Sequence, residues 1–164
     1  MEKTVQSALS LTLGKGGENE DEAILLSQIQ EIREQFDKQF TRWPPHINLL
    51  YPFIGEDEFE TEVSRLGEVL KEVSPFSISF PSLSSFDHSR SSTAWADPTC
   101  ENNQIHTLQS LCESVFPHCS DLSRFQGGYS PHLTLGQFKK KSKLRSFLSN
   151  VFILFNNYGY LSLF

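Results

Sequence analysis

Two short stretches of the chain repeat one pattern of polar and apolar positions. They are Trp43-Pro44-Pro45-His46-Ile47-Asn48-Leu49-Leu50-Tyr51-Pro52-Phe53 and Tyr129-Ser130-Pro131-His132-Leu133-Thr134-Leu135-Gly136. In each, an aromatic residue and a proline precede a histidine, and the histidine begins an alternation His-apolar-polar-apolar. Side chains two apart share a face of an extended strand. His46 and Asn48 are therefore expected to point one way and Ile47 and Leu49 the other, into a core. His132 and Thr134 stand in the same relation to Leu133 and Leu135. The pattern predicts a polar cleft lined by two imidazoles and two small hydrogen-bonding groups.

The remaining elements follow from the same kind of pattern. Val5 to Leu13 alternates and predicts a strand ended by Gly14 and the Gly16-Gly17 pair. Ile24, Leu25, Ile29, Ile32, Phe36 and Phe40 recur at helical spacing, behind the acidic run Glu18 to Glu22, and predict a helix over about 21–40. Glu58 to Val73 predicts a second helix with Phe59, Val63, Leu66, Val69 and Leu70 buried. Phe76 to Phe80 predicts a short strand, serine-rich 82–92 a strand edge or a loop, and Ser92 to Ala96 another strand closed by Asp97-Pro98. Thr99 is a candidate N-cap for a helix over 101–116. Lys139 to Asn150 predicts a short basic helix, and Val151 to Phe155 a last strand. Strand, helix and histidine strand thus occur twice, in an order that predicts an α+β protein with antiparallel sheets and outer helices.

Composition narrows the picture. At 164 residues, 38% hydrophobic with fourteen Phe, the chain can bury a core as one domain or as two small lobes sharing one. A formal charge of −6 argues against a broad basic surface for long nucleic acid and leaves room for a small phosphate-bearing substrate in a local pocket. Cys100, Cys112 and Cys119 lack the paired spacing of a zinc site and suit reduced thiols in an intracellular protein, cytoplasmic or nuclear. Met1 to Gln6 leads into an alternating segment instead of an apolar leader, and no stretch reaches transmembrane length. His88, His106 and His118 are irregularly spaced and suggest no metal site. Neither metal nor cofactor is expected.

The paired motifs His46-Ile47-Asn48-Leu49 and His132-Leu133-Thr134-Leu135, with Pro45, Pro131 and Gly136 at their flanks, resemble the 2H phosphoesterase superfamily. That superfamily includes the RNA 2′,3′-cyclic phosphodiesterases, the so-called 2′-5′ RNA ligases and plant cyclic phosphodiesterases. The similarity in element order runs from Val5 to about Asn150. It implies a single two-lobed, pseudo-symmetric α+β domain over 1–164, with antiparallel sheets forming a central cleft, helices outside, and an atypical segment over about 151–164. It also implies a metal-independent phosphodiesterase acting, as a monomer, on RNA 3′ ends or small nucleotides with a 2′,3′-cyclic phosphate or 2′-5′ linkage.

Under that resemblance His46 and His132 are the catalytic acid and base, because imidazole titrates near neutrality. Asn48 and Thr134 would hold the non-bridging oxygens of the phosphate; Asn48 stands where the family has Thr or Ser, and its amide can also donate. Tyr51, Phe53 and Tyr129 are candidates to stack on a nucleobase, with core packing the plainer role for Phe53. Arg90 is a candidate phosphate contact, and the cluster Lys139 to Lys141 with Lys143 and Arg145 could guide an RNA end or form a solvated helix face. Either histidine alone reads first as an exposed polar residue on a half-buried strand; the matched pair turns the reading toward catalysis. Two alternatives remain: an ADP-ribose cyclic phosphate phosphodiesterase of the same fold, and a nucleotide-binding module that has lost turnover.

Overall fold

The computed structural model describes residues 2–4, 6–13, 20–158 and 160–163, with side chains described up to 151. The elements in chain order are β1 (Lys3–Thr4), β2 (Leu9–Thr12), α1 (Glu20–Phe36), β3 (His46–Leu50), β4 (Phe53–Ile54), α2 (Phe59–Leu70), β5 (Phe76–Asp87), β6 (Ser92–Thr99), α3 (Gln104–Val115), β7 (Leu133–Phe138), α4 (Lys141–Tyr158) and β8 (Tyr160–Leu163). Short 3₁₀ turns over Glu56–Glu58, Glu101–Asn103 and Pro117–Ser123 complete the path. It is the α+β architecture of antiparallel strands and helices read from the sequence.

Six strands form one sheet in the order β2-β3-β7-β6-β5-β8, and β1 pairs with β4 in a separate ribbon. The two halves of the chain join where β3 lies antiparallel to β7, with Ile47 opposite Leu133. The two histidine strands are therefore neighbours in the middle of a continuous sheet.

One face of that sheet is packed. Ile47, Ile78, Ala94, Ala96, Leu133 and Leu135 are fully buried there against Leu25, Ile29 and Ile32 of α1 and Leu144, Phe147 and Val151 of α4. Each fully buried Leu or Ile stabilises the fold by about 1.5–3 kcal/mol. A second cluster gathers Leu49, Leu50, Phe53 and Ile54 with Leu108, Cys112 and Phe116 on the α3 side. On the other face the register aligns Ser10 with Asn48, Thr12 with His46, Trp95 with Thr134, Ser84 with Trp95 and Ser82 with Asp97. A bulge between Ala94 and Trp95 shifts β7 by one residue, so Gln137 joins this polar face and Gly136 turns inward. A Cβ at Gly136 would lie 2.5 Å from the Cβ of Phe36, so only glycine lets α1 rest this close to β7.

Several boundaries differ from the sequence expectation. The strand expected over Val5 to Leu13 begins at Leu9; Val5 and the glycines 14, 16 and 17 lie outside the described residues. Helix α1 stops at Phe36 because the next residue, Asp37, is tied to Arg33 and Gln39, and Phe40 falls in the following turns. The stripe expected on α2 is only partly covered: Leu66, Val69 and Leu70 pack on the second cluster, while Phe59 is 39% and Val63 63% exposed. The serine-rich segment is strand as far as Asp87, where β5 ends, with Ser82 and Ser84 on the open face and Ser85 opposite the buried Ala94. Thr99 caps no helix; it ends β6 and hydrogen-bonds Ser79. At the far end, 151–155 is helical and the last strand is β8, paired with the start of β5. A short apolar run such as Val151 to Phe155 suits a buried helix segment as well as a strand.

Candidate active site

Both histidines are held by the same local device. The Nδ1 of His46 bonds the carbonyl of Pro44 at 2.8 Å, and the Nδ1 of His132 bonds the carbonyl of Ser130 at 2.9 Å. A carbonyl only accepts, so each Nδ1 carries the proton and each Nε2 is left to act on a ligand. The intervening proline in both motifs, Pro45 and Pro131, stiffens the two-residue loop that closes this bond. Antiparallel pairing of Ile47 with Leu133 sets His46 toward Thr134 and Asn48 toward His132, all four on the open face.

The two half-sites differ in what surrounds them. His46 borders a small cavity of about 170 Å³ shared with Asn48, Thr134, Trp43, Tyr51 and Gln137. That volume lies below the ~300 Å³ and upward typical of pockets for drug-sized ligands, and suits a phosphate-sized group with the rest of its molecule on the open face. Behind it lies a buried network. Arg33, 1% exposed, donates from Nε and Nη2 to Oδ2 of Asp37 at 3.0 and 2.8 Å, and from Nη2 to the carbonyl of Trp43 at 2.8 Å. The other carboxylate oxygen of Asp37 accepts from the Gln39 N–H and from Nε2 of Gln137 at 2.9 and 3.0 Å. The amide oxygen of Gln137 accepts from the Lys38 N–H at 2.9 Å. The loop carrying Trp43 and Pro44 is thus locked to α1 and β7. Sequence reasoning missed this network because Arg33 and Asp37, four apart, look like a surface helix pair.

His132 instead sits among rings. Phe86 meets it edge-on with centroids 5.0 Å apart, Trp95 lies at 6.0 Å, and Phe86 stacks on Trp95 at 4.9 Å. Phe86 and Trp95 carried no role in the sequence reading. Phe86, two residues from Ser84 and so on the same strand face, was the signal available.

Electrostatics ties the pair together. Burial pushes the His46 pKa below the ordinary 6.5; the Pro44 carbonyl opposes, Arg33 adds to the lowering and Asp37 offsets it. Burial also lowers His132, opposed by the Ser130 carbonyl, and a charge on His46 lowers it further. The two rings are therefore within electrostatic reach of one another.

Asn48 has a buried side-chain oxygen with no hydrogen-bond partner among the described residues, as does the indole N–H of Trp95. Both are polar atoms on the open face, of the kind a bound ligand satisfies. The other candidates are placed elsewhere. The Tyr129 hydroxyl donates to the backbone carbonyl of Asn48 at 2.7 Å and its ring meets His106, so it ties the second histidine loop to β3. Phe53 is buried in the second core cluster, packed on Phe116, and presents no ring to the cleft. Arg90 is exposed in the turn between β5 and β6.

An α+β fold that sets two matched histidine strands side by side on one open sheet face is the arrangement of the two-histidine phosphoesterase class. The family model described as the 2′-5′ RNA ligase superfamily matches residues 21–157, and the chain belongs to that family. It is also similar to proteins named "Putative phosphoesterase" from three bacteria. The one from Halalkalibacterium halodurans is 31% identical over 107 residues, 64% of this chain and 58% of that protein. The one from Bacillus licheniformis is 29% identical over 107 residues, 64% and 59% of the two chains, and the one from Oceanobacillus iheyensis 27% over 112 residues, 67% and 62%. The chain spans about three-fifths of the length of these relatives. Among the described residues no helix is long and apolar enough to cross a membrane.

Proposed function

We propose that this protein is a metal-independent phosphodiesterase that opens 2′,3′-cyclic phosphates, or cleaves 2′-5′ linkages, at RNA ends or in small nucleotides. The observation that carries the reading is the matched pair of imidazoles, each with Nδ1–H committed to the carbonyl two residues back and Nε2 available on the same sheet face. Hydrolysis of a cyclic phosphate requires one proton taken from water and one given to the departing ribose oxygen. Two imidazoles on one face, one neutral and one protonated, supply both from opposite sides of a single phosphorus. Thr134 and the Asn48 amide then hold the non-bridging oxygens as charge builds on them. The names of the bacterial relatives and the family match agree with phosphoester chemistry. The three cysteines are free thiols, which fits action inside the cell, in the cytoplasm or nucleus.

The test is direct. Purified protein in excess EDTA is incubated with the four nucleoside 2′,3′-cyclic phosphates and with a 2′-5′-linked dinucleotide, and products are followed by phosphorus NMR. Ring opening or linkage cleavage without metal is the expected result. Binding of these compounds without turnover would overturn the enzyme and favour a nucleotide-binding module, a reading that Asn48 in place of Thr or Ser favours. Turnover of ADP-ribose cyclic phosphate alone would move the substrate away from RNA.

A further inference from the structure

A cavity of about 960 Å³ lies where the end of α1, the end of β7 and the start of α4 meet. Its floor is apolar, made by Phe36, Phe138 and Phe147, whose rings pack on one another at centroid separations of 4.7 to 5.5 Å. Phe36 remains 37% exposed, unusual for a ring in such a cluster. The rim carries Lys38, Lys139, Lys140 and Lys143, all exposed. None of the four has an ion-pair partner among the described residues, whereas the neighbouring Lys141 is paired with Asp87. Against them stand Glu34 and Asp37, and the carboxylate of Asp37 is already neutralised by Arg33. On a chain of net charge −6 this is a strongly positive spot.

Its position matters more than its charge. Asp37 and Gln137 line both this cavity and the one beside His46. From Thr134 to Lys139 the chain advances five residues along and just past β7, roughly 16 Å at ~3.3 Å per residue. A mononucleotide seated at the histidines does not span that distance; a strand of several nucleotides does.

We propose that this basic, aromatic-floored cavity is a second subsite, which holds the phosphates and a base of single-stranded RNA running away from the scissile end. The inference rests on the phosphodiesterase reading for the direction of the strand and deepens it: the substrate is an oligonucleotide instead of a free nucleotide. Lysines at the rim neutralise backbone phosphates, and the partly exposed Phe36 on the floor offers an aromatic contact for a base, the combination that binds single strands without sequence readout.

The experiment separates this proposal from the activity. A fluorescein-labelled RNA octamer carrying a 3′-phosphate, which needs no turnover to bind, is titrated by anisotropy at several salt concentrations. Wild-type protein is compared with the variant Lys38→Gln/Lys139→Gln/Lys140→Gln/Lys143→Gln, and with Lys71→Gln, just past the end of α2, as a charge control; thermal melting verifies folding. The proposal expects the fourfold variant to bind at least about tenfold more weakly at low salt. Its log-affinity against log-salt slope should be shallower by up to about 3, from ~0.7 for each phosphate of a single strand that a lysine no longer neutralises. Lys71→Gln should match wild type. Equal binding by wild type and the fourfold variant, or no measurable binding by wild type, would overturn the subsite. Opening of a nucleoside 2′,3′-cyclic phosphate by the same variant should stay within twofold of wild type, and that assay reports on the activity alone.

Discussion

His46 and His132 share a backbone device and differ in everything around it. Each donates from Nδ1 to the carbonyl two residues earlier, on neighbouring strands of one sheet. Behind His46 stands a buried ion pair, Arg33 with Asp37, stitched to both the Trp43 loop and Gln137. Beside His132 stand two stacked rings, Phe86 and Trp95. The comparison teaches that the orientation of an imidazole can be encoded in three consecutive residues, while its environment is assembled from distant parts of the chain. One half-site is supported by charge and hydrogen bonds, the other by apolar packing.

The largest expected effects remove what the halves share. His46→Gln and His132→Gln should each lower turnover of a 2′,3′-cyclic phosphate by about 10²–10⁴-fold, the usual contribution of a general acid or base, with circular dichroism unchanged. If one substitution is silent, the halves are not equivalent partners and single-histidine chemistry replaces the paired scheme.

Breaking the charged support comes next. Arg33→Met leaves the Asp37 carboxylate buried without its counter-charge and should cost about 3–5 kcal/mol in urea denaturation. It should also disturb the His46 imidazole resonance in NMR while leaving that of His132 in place. An equal shift at both would show that the network supports the whole sheet and not one half.

A smaller effect concerns pH. Desolvation lowers both imidazoles from 6.5, so the profile of kcat/KM should be bell-shaped with its optimum on the acid side of 6.5. Stability runs the other way: below pH 6.5 the unfolded chain takes up protons that the folded histidines resist, so stability falls as pH drops through that range. Denaturation midpoints measured at pH 7.5 and 5.5 check this; a fall between the two no larger in wild type than in a His46→Gln/His132→Gln variant would contradict it.

The smallest effect is at Asn48. Asn48→Thr makes the first motif match the second, and turnover should change by less than about tenfold, because both side chains can donate one hydrogen bond to a phosphate oxygen. Loss of all activity would show that the amide oxygen, unpartnered among the described residues, has a specific ligand of its own.

What could be read from the sequence follows the same division. Ile47 and Leu133 are both fully buried, as their alternation with His46 and His132 implied. The pairing of β3 with β7 was not legible, since nothing local in either strand says which edge it meets. Arg33 was hidden because its burial depends on the Trp43 carbonyl ten residues away. Phe86 was hidden because a serine-rich strand with one solvent-facing side has too few apolar residues to stand out from a loop, and Trp95, on a strand that was legible, because nothing local set its ring beside His132. The late helix α4 and strand β8 were displaced by an apolar run, 151–155, that fits either state. Tyr129 was legible as a neighbour of the site but not as a tie, because its partner is a backbone carbonyl of the other motif.

The measurement closest to the central claim is a crystal structure with a nucleoside 3′-monophosphate soaked into the cleft. The account predicts one phosphate with Nε2 of His46 and Nε2 of His132 both within hydrogen-bond distance, about 2.7–3.2 Å. A phosphate bound by a single imidazole, or lodged away from β3 and β7, would contradict it.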